Sequence, residues 1–200
     1  VTGKMFCGQI ARMTREEIIQ IFKASGALLE GHFVLRSGLH SRQFFQCALV
    51  LQEMPVVERL GNALAALCAG VEIETVVAPA MGGLVIGQEV ARQLKKRFIF
   101  VEKEEGSLVM RRGFKIRQGE KILVVEDVIT KGGRAQETID IIRGLGGDVV
   151  AVASLVDRSN GKASFGIPFK SLLSLEVETF DPDNLPEDLK KTPATKPGSK

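Results

Sequence analysis

The segment LVVEDVITKGGR, Leu123–Arg134, constrains the fold more than any other stretch of this chain. An apolar run, Ile122–Val125, ends in two adjacent carboxylates, Glu126 and Asp127. Val128, Ile129, Thr130, Lys131, Gly132, Gly133 and Arg134 follow, and then a stretch with helical spacing. Such a β-branched run reads as a strand buried on both faces of a parallel sheet. Ligands of open α/β sheets bind where such strands reach their carboxyl edge. The glycines let successive backbone N–H groups turn toward one point, and the next helix adds its positive N-terminal end. Carboxylates accept hydrogen bonds from hydroxyls and repel phosphate. Vicinal ribose hydroxyls therefore belong at Glu126 and Asp127, and the sugar's phosphate at residues 130–134. A Walker loop is excluded because Lys131 precedes the glycines. A dinucleotide fingerprint is excluded because the acids come first. Taken alone, the pattern also reads as a strand ending in solvent with a tight glycine turn.

Composition narrows the class. Two hundred residues suit one domain with at most a small appendage. With 44% apolar and 26% charged residues, the chain can bury a substantial core. A net charge of +3 is too small to indicate a nucleic-acid partner. No apolar run approaches the roughly 18 residues of a membrane span, and no charged-then-apolar leader opens the chain. Cys7, Cys47 and Cys68 are odd in number, widely spaced and free of any CxxC, which fits reduced thiols in a cytoplasm. His32 and His40 are the two histidines, too few for a His/Cys zinc site, and both read as polar loop positions. Without Trp or Tyr, stacking on a planar substrate falls to Phe, His or Arg.

Along the chain, Met13 ahead of Thr14 is a candidate start, and Thr14–Glu17 is a capping box. Ile18, Ile19 and Phe22 give the helix an apolar face that extends toward Leu28 and Leu29. Strands are expected around His32–Leu35 and Gln43–Val50, with a turn at Ser37–Gly38. Pro55 opens a helix ending near Gly70. Ile73–Ala78 reads as a buried strand, and Pro79–Ala80–Met81–Gly82–Gly83 as a second loop at a strand's carboxyl end. A helix to Leu94, a strand Arg97–Val101, a helix Ala135–Leu145 and strands Val149–Val156 and Ser171–Leu175 complete a parallel α/β pattern. The charged insertion Glu102–Arg117 reads either as an exposed hairpin or as a mobile lid. From Asp181 the Pro-rich, charged tail reads as a loose arm. No internal repeat is visible.

The Leu123–Arg134 segment resembles the phosphoribosyl-diphosphate signature of the type I phosphoribosyltransferases. Three more segments are similar to the orotate phosphoribosyltransferases of the shorter bacterial form: GALLEGHFVLRSGLHSRQFF (Gly26–Phe45), APAMGGLVIGQEVA (Ala78–Ala91) and SLVDRSNG (Ser154–Gly161). The resemblance spans residues 14–182. It implies the type I phosphoribosyltransferase fold: a central, mostly parallel sheet flanked by helices, a flexible lid hairpin, and a small hood mainly from 14–50 and 171–182. Residues 1–13 and 183–200 would be terminal arms. It implies Mg²⁺-dependent transfer of phosphoribosyl from 5-phosphoribosyl 1-diphosphate to orotate, giving orotidine 5′-phosphate and diphosphate on the route to UMP. Glu126 through Arg134 would hold the ribose 5-phosphate part, and Ala80, Met81, Gly82 and Gly83 the diphosphate. Thr130, Arg158, Arg36, Phe44 and Phe45 would meet orotate, while Lys103 and Asp127 act in catalysis. The metal would be held mainly through substrate and water, with no direct protein ligand. A cytoplasmic homodimer, with Lys103 of the lid serving the neighbouring site, completes what the resemblance implies; no nucleic-acid or membrane partner belongs to it.

Two departures stand out. Arg134 occupies a position that usually carries a hydroxyl, and Lys131 one that often carries Thr or Ala. In the lid only Lys103 matches, with Arg111 and Arg112 as possible replacements for missing cations. Two other readings stay open: a regulator that senses phosphoribosyl diphosphate, and a transferase for another base. Against the regulator, the residues before Ala27 hold one helix, too little for a helix-turn-helix module.

Overall fold

The computed structural model describes residues 13–35 and 37–197. Arg36, one of the expected orotate contacts, lies outside the described residues. Helix α1 (Arg15–Ala24) opens on the expected capping box: Glu17 N–H donates to Thr14 Oγ1 at 3.2 Å, and Thr14 N–H to Glu17 Oε2 at 2.7 Å. Ile18 and Phe22, one turn apart, are its buried face. The helix stops before Gly26, whose φ of 70° suits glycine, so Leu28 and Leu29 begin a strand rather than extend the helix. That strand, β1 (Leu28–Val34), pairs antiparallel with β2 (His40–Phe45), and β9 (Thr179–Phe180) joins β2 to make a three-stranded sheet.

The expected second strand, Gln43–Val50, is corrected here. It ends at Phe45, and Cys47–Leu51 forms helix α2. Cys47, Val50 and Leu51 are all buried, at a helical i, i+3, i+4 spacing that a short apolar run does not distinguish from a strand. Helix α3 (Met54–Leu67) follows, with Pro55 in its first turn. Then come β3 (Thr75–Pro79), α4 (Gly83–Leu94), β4 (Arg97–Glu104), β5 (Ser107–Val109), β6 (Lys121–Ile129), α5 (Gly133–Gly144), β7 (Asp148–Asp157) and β8 (Phe169–Ser174).

The main sheet runs β5-β4-β3-β6-β7-β8, with every neighbouring pair parallel except β4 and β5. This is the mostly parallel, helix-flanked sheet that the alternation of elements implies. After β3 the chain steps outward to β4, and β6 returns to the opposite side of β3. The direction of winding thus reverses between β3 and β6, which is where open sheets leave a crevice. Helices α1, α3 and α4 pack one face through Phe22, Leu60, Leu64, Ile86 and Val90. Helix α5 covers the other through Ala135, Ile139 and Ile142.

The tail differs from the loose arm read from composition. Helix α6 (Glu187–Lys190) buries Leu189. Thr195 exchanges backbone hydrogen bonds with β1, donating to His32 O at 2.9 Å and accepting from Val34 N–H at 2.8 Å. Arg42 of β2 grips Asp188 with Nε at 2.8 Å and Nη2 at 2.9 Å. Prolines spaced along a charged segment suppress helix, but they do not prevent docking by backbone groups. The histidines are likewise on strands, not loops. His32 is buried, its Nδ1 lies 2.7 Å from Thr192 O, and its Nε2 meets His40 Nδ1.

At the amino edge of the sheet, buried Glu120 ties β3 and β4 to the loop that precedes β6. It accepts hydrogen bonds from Thr75 Oγ1, from Arg97 Nη2 at 3.0 Å and from Arg117 N–H at 2.8 Å. Glu120→Ala leaves those donors stranded and is expected to destabilise the fold by about 3 kcal/mol. A lowered urea midpoint at unchanged slope, with the folded fraction keeping its activity at the opposite edge, is the expected result.

Candidate functional site

Strands β3 and β6 pair from Thr75↔Ile122 to Val77↔Val124 and no further. Beyond that point β6 pairs with β7 alone, as far as Ile129↔Asp157. Glu126 and Asp127 therefore lie within the strand rather than after its end: Glu126 pairs with Ser154 of β7, Asp127 N–H donates to Glu126 Oε2 at 3.2 Å, and the β3 side is open. Into this seam come the loop from Ala80 to Gly83 and the loop from Thr130 to Arg134. Neighbouring residues on a strand face opposite sides of the sheet. Asp127 turns toward the first loop: a Cβ on Gly82 would sit 2.6 to 2.8 Å from its carboxylate atoms. Glu126 turns toward the second, lining a cavity of about 280 Å³ with Val128, Ile129, Thr130, Gly132, Gly133 and Arg134.

Each loop feeds a helix with no side-chain cap. Helix α4 starts from Gly82 and α5 from Gly132, whose φ is 78°. Their first-turn N–H groups are left for an anion, reinforced by the helix dipole. The φ of Gly132 is one L side chains rarely adopt, and a Cβ there would also press on the Phe165 ring at 3.1 Å. Arg134 spans the two loops, Nη1 donating to Ala80 O at 3.3 Å, while Lys131 is exposed. A larger hollow of about 500 Å³ between α1, α3 and α4 is lined by Glu17, Glu58, Arg59 and Asn62 and borders neither loop.

Burial and the neighbouring Asp127 charge push the Glu126 carboxyl up to about 9, despite a nearby Arg134. The pair as a unit therefore favours keeping one proton. The pair thus presents both a hydroxyl donor and a carboxylate acceptor to a ribose.

Arg158 N–H donates to Ile129 O at 2.7 Å, which places it beside Thr130 at the ends of β7 and β6. Its guanidinium lies 5.2 Å from the Phe45 ring centroid, and its Nε is buried with no hydrogen-bond partner among the described residues. Desolvation lowers its affinity for the proton. Phe45 thus joins Arg158, whereas Phe44 turns the other way and packs on Phe33 at 5.9 Å. Cys47 was not among the expected site residues. It is buried near Arg158 and the acid pair, and its thiol is pushed up by burial and then by the Asp127 charge. No sequence signal separates it from a core cysteine.

The insertion after β4 is a hairpin turning at Glu105 and Gly106. Lys103 is exposed on it. Arg111 is paired with Glu104 at 2.6 Å, and Arg112 grips Glu102 at 3.0 and 2.8 Å.

The phosphoribosyl transferase domain family matches residues 53–183. The orotate phosphoribosyltransferase of Desulforamulus reducens is 51% identical over 188 residues, covering 94% of this chain and 98% of the relative. That of Thermotoga maritima is 46% identical over 183 residues, covering 92% and 98%. Among solved structures, orotate phosphoribosyltransferase from Aeropyrum pernix is similar with a TM-score of 0.69 at 26% identity, covering 80% of this chain and 94% of that one. The Mycobacterium tuberculosis orotate phosphoribosyltransferase in complex with 5-phospho-alpha-D-ribosyl 1-diphosphate has a TM-score of 0.63 at 21% identity, covering 80% and 96%, a likeness of fold.

Two outcomes follow from the acid pair. A carboxyl whose folded pKa is raised keeps the folded state richer in protons between its unfolded value, about 4.3, and the folded one. Its contribution is complete below that window and is lost as pH rises through about 9. Melting temperature should therefore fall between pH 5 and pH 9 more steeply in wild type than in Glu126→Gln. Gly82→Ala must displace the Asp127 carboxylate. It should lower kcat/KM about tenfold, the worth of one charge-assisted hydrogen bond, with the melting temperature within a few degrees of wild type.

Proposed function

The chain belongs to the phosphoribosyltransferase family and, within it, to the orotate phosphoribosyltransferases; from that membership we propose how its residues divide the reaction. The bond from ribose C1′ to the diphosphate oxygen breaks, and a bond from C1′ to an orotate ring nitrogen forms. Positive charge develops on the ribose as diphosphate leaves, so positioning and fixed electrostatics carry catalysis and no covalent nucleophile is required. The product, orotidine 5′-phosphate, lies on the route to UMP.

In this reading the α5 N-terminus and residues 130–134 bind the 5-phosphate, and Glu126 and Asp127 hold the ribose hydroxyls. The α4 N-terminus with Ala80–Gly83 meets the diphosphate. Asp127, packed on Gly82, sits between sugar and leaving group. Orotate lies between Thr130, Phe45 and Arg158. The observation that carries the choice of base is the Arg158 Nε, buried without a partner among the described residues. A buried donor left unpaired is costly, and a planar carboxylate is the ligand that suits a half-buried guanidinium. Phe44 supports the hood through Phe33 rather than covering the base.

Among the described residues no group of three or more His, Cys, Asp or Glu could hold a metal ion by itself, and two adjacent carboxylates suit Mg²⁺, which takes most of its ligands from substrate phosphates and water. When bound, the ion neutralises diphosphate charge. Lys103, the lid cation without a carboxylate partner in the hairpin, completes the site. The reading includes a C2 homodimer in which a lid serves the partner's site, closing positive charge over a cleft crowded with negative charge. Among the described residues no helix is long and apolar enough to cross a membrane. Cys47 and Cys68 are free thiols, which supports a reducing cytoplasm.

Incubation with phosphoribosyl diphosphate, Mg²⁺ and separate bases tests the reading: orotate absorbance should disappear, and adenine and xanthine should not react. Absence of turnover with every base would leave a ligand sensor instead. Arg158→Ala should raise the orotate KM by about tenfold or more while leaving that for phosphoribosyl diphosphate within about twofold, since only orotate brings a carboxylate to that pocket.

A further inference from the structure

Strand β5 is the edge of the main sheet, so alternate N–H groups along it face outward without a strand partner. One of them, Leu108 N–H, is taken by a side chain: it donates to Glu137 Oε1 of α5 at 2.7 Å. Leu108 itself is buried in the apolar cluster that contains Ala135 and Ile139 of the same helix. Backbone and side chain of one residue thus fasten the second strand of the hairpin to the helix that begins at the 5-phosphate loop.

The fastening falls opposite Lys103. The β4–β5 register is Glu102↔Val109, Lys103↔Leu108 and Glu104↔Ser107. Because Leu108 N–H points out of the hairpin, Lys103 and Leu108 form a non-hydrogen-bonded pair, in which opposed side chains share a face and stand closest. The alternation of β4 agrees. Ile99 and Val101 are buried in the α5-side cluster, which puts Lys103 on that same face. Glu102 and Glu104 take the other face, where they bind Arg112 and Arg111.

We infer that Glu137 is a positioning residue for Lys103: it ties the lid hairpin to the phosphate-binding helix at the register position that presents the lysine. The inference rests on the reading of Lys103 as the working cation of the lid. It makes the placement of that cation depend on α5, whose first turn takes the 5-phosphate. Glu137 has no role in the binding of orotate, which lies at the ends of β6 and β7.

The test uses full-length Glu137→Ala, Glu137→Gln, Lys103→Ala and the double variant Glu137→Ala/Lys103→Ala. The expected result is a kcat lowered about tenfold in Glu137→Ala, the worth of one charge-assisted hydrogen bond, with the orotate KM within about twofold. Glu137→Gln keeps the accepting oxygen and should recover most of the loss. The double variant should be no worse than Lys103→Ala alone, because two residues acting through one interaction are not additive. Amide exchange at Leu108 should quicken in Glu137→Ala and be restored in Glu137→Gln. A fully active Glu137→Ala, a Gln variant no better than Ala, or a loss that multiplies with that of Lys103→Ala overturns the positioning role while leaving the Lys103 reading intact. A fully active Lys103→Ala overturns the Lys103 reading, and the role of Glu137 with it.

Discussion

Strand β6 is flanked by β3 and β7 as far as Val124, and by β7 alone from there to Ile129. Where it is enclosed on both sides, Ile122, Leu123 and Val124 are fully buried and could hardly be anything but apolar. Where one side opens, polar side chains become possible without loss of backbone pairing. The same change of partner leaves room for two glycine loops to approach each other across the seam. Helices α4 and α5 then take opposite faces of the sheet, each directing an uncapped N-terminus at one crevice. Both glycine loops and the acid pair are consequences of where a single strand loses a neighbour.

The crevice gathers groups whose charges and hydrogen bonds the protein itself does not balance. On one side an acid pair favours keeping one proton; on the other a guanidinium nitrogen is buried without a partner among the described residues. Each is a cost that the apolar layers beneath must offset. The ribose hydroxyls of phosphoribosyl diphosphate and the carboxylate of orotate would relieve them together. Preorganised groups of this kind need no reorientation when charge develops, which is where they gain their effect over water. Local conflict with folding rules is therefore concentrated at the crevice, as expected where binding rather than stability dictates residue choice.

The sheet, its alternating helices and the glycine turn into α5 were legible because each rests on local chemistry: β-branched runs, paired glycines and the Thr14–Glu17 box. What escaped the sequence depended on partners far along the chain. Cys47–Leu51 is too short for its period to reveal itself. The acids Glu126 and Asp127 looked like a strand's end, because nothing local reports that β7 continues beside them. The division between Phe45, under Arg158, and Phe44, against Phe33, follows from strand alternation once the register is known. The pairing of Leu108 with Glu137 and the docking of the tail on β1 join residues that no pattern relates.

The contact between that tail and the hood has a polarity of its own. Thr192 O can only accept, so the hydrogen on neutral His32 must reside on Nδ1, leaving Nε2 bare. His40 must then supply the hydrogen that joins the rings, from its own Nδ1. Both tautomers are dictated by one carbonyl in the arm, and the chain of bonds runs in a single direction from β2 through β1 to the C-terminal segment.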